Sequence, residues 1–435
     1  MKALKVGIIG FGTVGGGVYN VLQSFKDIQI VKIAVKNINK KRNIENFDET
    51  LLTDNAYEIV NNPEIDVVIE VAGGVNPTFD LLKTAIKNGK HIVTANKELL
   101  AKNGSELFRI AKENNVIILY EAAVAGGIPI IMPVKTILCA NKITKIAAIL
   151  NGTTNYILTK MAEKDLSYET ALTQAQELGY AETDPTGDVE GFDAAYKIAI
   201  LSTISFNKKV DINKIYREGI TKITAQDIKS AKELGYRIKL IAMGQVLENG
   251  KIDVRVHPML ISKKHLLAKI DNATNSIMLS GKPVGDLVLT GAGAGADPTA
   301  SSVVGDLLVL AAELEASDRP IPQAICNHNE IADQIDIGDT YNEYYLSINA
   351  GNNPGAIGII GTICGKNNIN ISTIMQNGIN EDNTAEIVVI TEKSKESDVQ
   401  KALEELLKSE CIIKINNLLR VMNEEAIWKN IIIKV

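Results

Sequence analysis

The stretch "LKVGIIGFGTVGGGVYNVL", which begins at the fourth residue, constrains the fold of this chain more than any other. A short β-rich run leads into Gly10-Phe11-Gly12-Thr13-Val14-Gly15, and Val18, Val21 and Leu22 then recur at helical spacing. The order is strand, glycine turn, helix. Gly10 permits the tight turn, Gly12 lets the backbone approach a pyrophosphate, and Gly15 allows the helix to pack closely on the strand, with the helix N-terminus facing the anion. "IVKIAV", "DVVIEVAGG" and "HIVTANK" read as further parallel strands joined by helices. The first segment is therefore predicted to be an α/β unit of Rossmann type holding a dinucleotide. A purely structural glycine turn is the competing reading, and the flanking strands weigh against it.

The second strand ends at Val35-Lys36, about 20 residues past the glycines, where an acid would bond a free ribose 2′-hydroxyl. No acid stands there. Lys36, followed by Lys40, Lys41 and Arg42, offers positive charge that suits a 2′-phosphate, so NADP(H) is favoured over NAD(H). A solvated basic loop is the alternative.

At 435 residues the chain is long enough for two to four domains. Its 46% hydrophobic and 23% charged content and net charge of −6 are those of a soluble globular protein. Lys and Arg are dispersed, and no apolar run reaches the roughly 18 residues of a membrane span, so neither nucleic acid nor membrane is expected as a partner. "MKALKVGIIGFG" runs straight into a strand, which reads as neither signal peptide nor a preceding kinase domain. Cys139, Cys326, Cys364 and Cys411 lie far apart without metal-ligand spacing, and read as buried small side chains in a reducing cytoplasm.

After the first unit come "VTANKELLAKNGSEL", "YEAAVAGGIPII", "ILNGTTNYIL", "LGYAETDPTGDVEGFDAAYKIAIL", "RVHPMLI" and "GAGAGADPTASSVVGDLL". Together, from residue 4 to about 318, they resemble homoserine dehydrogenase. The resemblance implies NAD(P)H-dependent interconversion of L-aspartate 4-semialdehyde and L-homoserine, on the route to threonine and methionine. It makes Lys197 the proton donor and acceptor and Lys97 a second catalytic lysine beside the nicotinamide. Glu182 and Asp193 match acidic ligands of the zwitterionic substrate. The residue types suit the chemistry, because hydride arrival at an aldehyde carbon puts negative charge on oxygen, which an ammonium can polarise and protonate. Desolvation brings a lysine pKa toward neutrality and makes it usable as acid and base. Asp193 stands one helical turn before Lys197 on the same face. Outside this context the pair would be an i,i+4 ion pair worth about 0.3 to 0.5 kcal/mol.

The resemblance further places Gly10, Gly12, Thr13, Val14, Gly15, Lys36, Arg42, Lys97, Gly179 and Gly295 with the cofactor. It gives Glu121, Val124, Gly126 and Ile128 of "EAAVAGGIP" as a loop for Na+, with a metal-free structural turn as the competitor. His257 has no second histidine at ligand spacing and reads as a packed side chain.

Residues 1–135 are thus expected as the dinucleotide domain, completed by a returning helix at about 299–316, and 136–298 as an α+β substrate and dimerisation domain. "TKITKIAAIL", "KLIAMGQVLENGKIDVRVHPMLI" and "SIMLSGKPVGDLVLTG" read as strands of its mixed sheet. A linker at 317–342 leads to a separate module at 343–423. There "EYYLSINAGNNPGAIGIIGTICGKNNINISTIMQ", "TAEIVVITEK", a helix from about Ser397 to Leu407 and "IIKINNLLRVM" resemble a ferredoxin-like (βαββαβ) ACT domain. Such modules bind amino acids, which implies control by threonine. Asn352 departs from the pattern, since an aspartate is usual there and an amide holds an ammonium less firmly. A homodimer or homotetramer is the family expectation. A non-catalytic sensor of dinucleotide and amino acid is the rival, and it predicts loss of the lysines that are present.

Overall fold

The computed structural model describes residues 3–42, 44, 47–315 and 330–422. Strand β1 (Leu4–Ile9) is followed by helix α1 (Thr13–Leu22) and β2 (Ile28–Ala34). Then come β3 (Leu52–Thr53), α2 (Tyr57–Val60), β4 (Val67–Glu70), α3 (Thr78–Lys87), β5 (His91–Thr94), α4 (Lys97–Glu113) and β6 (Ile118–Leu119). The six strands pair in parallel in the order β3-β2-β1-β4-β5-β6. Reversal of strand order between β1 and β4 opens a crevice at the carboxyl ends of the strands, where such sheets bind ligands. Val6, Ile8, Val67 and Ile69 point to one face and are buried against Val18 and Leu22 of α1. The same core includes Val303, Leu307 and Leu310 of a much later helix, α11 (Ala296–Glu315). That helix begins three residues earlier than its sequence suggests, because the turn at Gly295 closes immediately before it.

After α5 (Ile131–Lys135) the chain enters a second layer. Its strands are β7 (Lys142–Ile149), β8 (Tyr216–Arg217), β9 (Tyr236–Val246), β10 (Ile252–Ser262), β11 (Thr274–Lys282) and β12 (Gly285–Ala292). Helices α6 (Gly152–Lys164), α7 (Tyr168–Glu177), α8 (Thr186–Val189), α9 (Phe192–Phe206) and α10 (Ala225–Glu233) lie between them. Ile198, Leu201 and Ile204 of α9 share a core with Leu240, Val254 and Val256 of the sheet. His257 is fully buried in β10 with its ring edge-on to Tyr216, in keeping with a packed histidine.

The C-terminal unit runs β13 (Tyr341–Gly351), α12 (Ala356–Lys366), β14 (Ile371–Asn377), β15 (Thr384–Thr391), β16 (Ser394–Lys395), α13 (Glu396–Leu406) and β17 (Ile412–Met422). Its four main strands order as β17-β13-β15-β14, with α12 and α13 packed on one face. It is not a free-standing module. β17 pairs in parallel with β10 through Met259 and Arg420, so one mixed sheet runs β12-β11-β7-β9-β10-β17-β13-β15-β14. Arg420, 1% exposed, donates to Glu396 and to Glu218, tying the unit to the middle layer. The expected linker is anchored where it is described. Ile331 and Gln334 bridge to Lys209 and Ile252, and β13 already begins at Tyr341.

Cys139 is exposed, against expectation, because it falls in the turn before β7, while Cys364 is buried in α12. Cys326 lies outside the described residues. Among the described residues no helix is long and apolar enough to cross a membrane.

Candidate active site

Three strand ends meet at the crevice. After β1, Gly10 adopts φ +101°, and a Cβ there would stand 2.6 Å from the Ala72 nitrogen, so only glycine fits the turn. Gly15 packs against the Gly10 carbonyl, whereas the Cβ direction of Gly12 opens onto free space. Gly12 is also the N-cap of α1 and supplies no side chain to its amides, and Thr13 and Val14 form the first turn. An open approach to uncapped helix amides is what a pyrophosphate needs, so these residues fit a dinucleotide. Lys36 is exposed beyond β2. Arg42 folds its guanidinium back onto the carbonyls of Asn37, Ile38 and Lys40, and over the Phe11 ring of the glycine turn.

Glu70, the last residue of β4, is wholly buried. Its carboxylate accepts from the amides of Ala72 and Gly73 and, at 2.6 Å, from the hydroxyl of Thr94, the last residue of β5. Thr94 Oγ1 accepts the Asn96 amide, and Asn96 Oδ1 caps α4 by accepting from Leu99. This chain of bonds places Lys97 as the first residue of α4. An ammonium at a helix N-terminus opposes the helix dipole and requires an anion nearby.

Asp193 is that anion. Gly191, at φ +78°, turns the chain into α9 so that Asp193 and Lys197 face inward, and both are at least nine-tenths buried. Asp193 Oδ1 lies 3.0 Å from Lys97 Nζ, and Asp193 Oδ2 accepts from Lys197 at 2.7 Å and from Asn151 Nδ2 at 2.9 Å. Lys197 Nζ also donates to the Leu150 carbonyl at 2.8 Å. Burial would raise the Asp193 carboxyl, but the two ammonium groups outweigh it and hold Asp193 well below its ordinary range. Burial lowers Lys197, against the pull of Asp193. Lys97 moves upward under Asp193, helped by Asp188 and Glu182, and keeps 43% of its side chain exposed. Two lysines of one motif set are thus driven apart in pKa, the arrangement that separates an acid–base group from a fixed charge.

Asp193 thus bridges both lysines and Asn151 within the protein. Glu182 is exposed on the loop after α7, near enough to Lys97 to add to its upward shift. Gly179 is the left-handed residue that ends α7 and sits away from the glycine turn in sequence and element. Asn151 is the residue that sequence reasoning missed. It caps α6 by accepting from Thr154 while its amide donates to both Asp188 and Asp193. An Asn immediately before a helical run was the available signal.

In the "EAAVAGGIP" loop the acidic side chain is engaged by protein amides. Both carboxylate oxygens of Glu121 are taken by the amides of Ile130, Ile131 and Met132 at the start of α5, and the Gly126 carbonyl accepts from Ser302. Val124 and Ile128 are fully packed in the core. The Glu121 carboxylate is thus committed to the start of α5. A Cβ on Gly126 would meet the Gly293 carbonyl at 2.5 Å, so this loop stacks on the "GAGAG" loop that carries Gly295 into α11. Beside it, burial pushes the Asp306 carboxyl from 3.8 up to about 8. Between those values the fold keeps a proton that the unfolded chain releases, so stability falls as pH rises from about 4 to 8 and then levels off. Asp306→Asn keeps an acceptor for the Glu121 amide. Its Tm is expected to exceed that of the unsubstituted chain by at least about 2 °C above pH 8, and to match it near pH 4. Identical Tm curves at every pH would exclude the Asp306 proton.

A dinucleotide turn, a lysine whose ammonium is destabilised by burial, and a second lysine held charged define a nicotinamide-dependent oxidoreductase. A model of the homoserine dehydrogenase NAD-binding domain matches residues 10–121, and one of homoserine dehydrogenase matches 129–308. The chain belongs to the homoserine dehydrogenase family. The enzyme of Pseudomonas aeruginosa is 41% identical over 416 residues, covering 93% of this chain and 95% of its own. That of Bacillus subtilis is 38% identical over 97% of this chain and 99% of its own. The crystal structure of the Thiobacillus denitrificans homoserine dehydrogenase superposes with a TM-score of 0.89 at 38% identity, covering 97% of this chain and 98% of its own. A hyperthermophilic archaeal homoserine dehydrogenase in complex with NADPH gives 0.60 at 27% identity, covering 70% of this chain and 96% of its own.

Proposed function

We propose that Lys197 is the acid and base for the reversible reduction of L-aspartate 4-semialdehyde to L-homoserine, with Lys97 as a fixed positive charge. The observation that carries this reading is the single carboxylate, Asp193, shared by both lysines. A neutral lysine amine has two N–H donors and one lone pair. The Leu150 carbonyl and Asp193 match the two donors, which leaves the lone pair for a substrate hydroxyl. In homoserine oxidation Lys197 takes that hydroxyl proton, and in the reverse direction it returns the proton to the aldehyde oxygen. The nicotinamide cofactor, when bound, accepts or supplies the hydride. Lys97 polarises the same oxygen or orients the substrate carboxylate, and Glu182 holds the α-ammonium.

The positive charge of Lys36 and Arg42 around the glycine turn supports NADP(H) as the preferred cofactor. The C-terminal unit is assigned as an ACT regulatory domain with threonine as effector. A cavity of about 230 Å³ bounded by Asn352, Pro354 and Gln376 supports that reading. Strands β12 and β14 end the large sheet with one edge unpaired among the described residues, which supports assembly into a homodimer or homotetramer. One assay tests these assignments: initial rates of homoserine-dependent reduction of NADP+ and NAD+, with threonine titrated in. The expected kcat/KM favours NADP+ by at least about tenfold, or 1.4 kcal/mol. A strong NAD+ preference would reject the cofactor assignment, and no inhibition at saturating threonine would reject the effector. Dinucleotide binding without any homoserine-dependent rate would favour the sensor.

A further inference from the structure

The turn that carries Asp193 into the lysine centre is held from outside. Between α8 and α9 the chain passes through Glu190 and Gly191, and the segment from Arg217 to Thr221 closes on it. The Ile220 amide donates to the Val189 carbonyl at 2.8 Å, and the Thr221 hydroxyl donates to Glu190 Oε1 at 2.9 Å. Arg217 donates to the Glu190 carbonyl and lays its guanidinium over the Phe192 ring, 3.4 Å from the centroid. A Cβ on Gly219 would stand 2.4 Å from the Val189 carbonyl oxygen and 2.7 Å from Glu190 Cα, so only glycine permits this approach.

Tyr216 and Glu218 face the other way, because successive side chains of an extended segment alternate in direction. The Glu218 carboxylate accepts from Arg420 of β17 at 2.8 Å, the Tyr216 hydroxyl accepts from it at 3.3 Å, and the Glu218 amide donates to Val256 of β10. The segment is therefore tied to the large sheet on one side while it grips the turn on the other. The turn needs that grip. Gly191 stands at φ +78°, and a glycine has little backbone preference of its own to hold that angle. Two residues on, the Asp193 carboxylate must meet Lys97 at 3.0 Å and Lys197 at 2.7 Å.

We propose that Arg217 and Gly219 are positioning residues for homoserine oxidation, which clamp the Gly191 turn and through it fix the Asp193 carboxylate between the two lysines. This role rests on Lys197 acting as the acid and base. Neither clamp residue reaches the reacting atoms. The charged groups that face Lys197 are Asp193 on its own helix, Lys97 from α4 and Asp188 from α8, so a change at Arg217 or Gly219 acts on Lys197 by moving Asp193.

Steady-state pH profiles of homoserine oxidation by Arg217→Lys and Gly219→Ala, each alone and combined with Asp193→Asn, test the clamp. Lysine keeps the positive charge and loses the planar stack, so a shift in Arg217→Lys reports geometry and not charge. Each single variant is expected to lower kcat about tenfold and to move the acidic limb to lower pH by about half a unit, because a loosened Asp193 raises Lys197 less. In the Asp193→Asn background neither substitution should move the limb further, since the group it positions is gone. NADPH affinity, measured by fluorescence, should be unchanged throughout, which reports that the variants fold. A limb that stays in place in either single variant overturns the proposal, and so does a shift that persists undiminished beside Asp193→Asn. The unsubstituted enzyme separates two failures. A profile without a limb removes Lys197 as the base and the clamp with it, whereas a limb that exists and does not move rejects the clamp alone.

Discussion

Lys197→Ala is expected to lower kcat for homoserine oxidation about 10³-fold while leaving dinucleotide affinity nearly unchanged. Lys197 sits on α9, whereas the pyrophosphate turn is Gly10–Gly15, and no bond in the structure joins them. Lys197→Arg should be almost as inactive, because a guanidinium keeps the charge but does not lose its proton near neutral pH. For the unsubstituted enzyme the oxidation rate should rise with pH through the Lys197 pKa, which burial places below 10.5. Steady-state kinetics with both variants, beside fluorescence titration of NADPH, provide the check. A variant with near-normal kcat would remove Lys197 from proton transfer.

Asp193→Asn should cost about 10² to 10³ in kcat/KM, and its pattern separates two roles for the carboxylate. If Asp193 organises the lysines, its loss leaves Lys97 at a helix N-terminus without a counter-ion and removes the anion that raises Lys197. The acidic limb of the oxidation profile then moves to lower pH, because less alkalinity is needed to deprotonate Lys197. If Asp193 instead binds the substrate ammonium, KM for homoserine rises while kcat and the limb stay in place. A pH profile of kcat for the variant decides between them. The first outcome is expected, since Asp193 bridges Lys97, Lys197 and Asn151 in the fold.

Much of the site was legible before any fold was known. The glycine turn could be read because a tight turn, a close backbone approach and a helix start each demand a residue type at a fixed offset. Lys97, Lys197 and Asp193 were legible through the motifs that carry them, and two of the three share one helical face by spacing alone. Other features depend on contacts between distant segments. Asn151 lies 42 residues from Asp193, and nothing local marks its amide as the group that holds the carboxylate in place. Where the Glu121 side chain goes could not be read either, because its donors, the amides of Ile130, Ile131 and Met132, come together only once α5 forms.

The sequence by itself therefore determined the element order, the parallel nucleotide sheet, and which residue types carry the chemistry, since these follow from periodicity, turn requirements and local spacing. Tertiary structure alone decided how each carboxylate is used and how the C-terminal unit attaches. Asp193 became a bridge, Glu121 a helix cap and Asp306 a buried acid near pKa 8, because the energy of a charge depends on solvent exclusion and on partners brought in from remote parts of the chain. For the same reason β17 joined β10, since the backbone groups at a strand edge carry no record in sequence of the edge they will pair with.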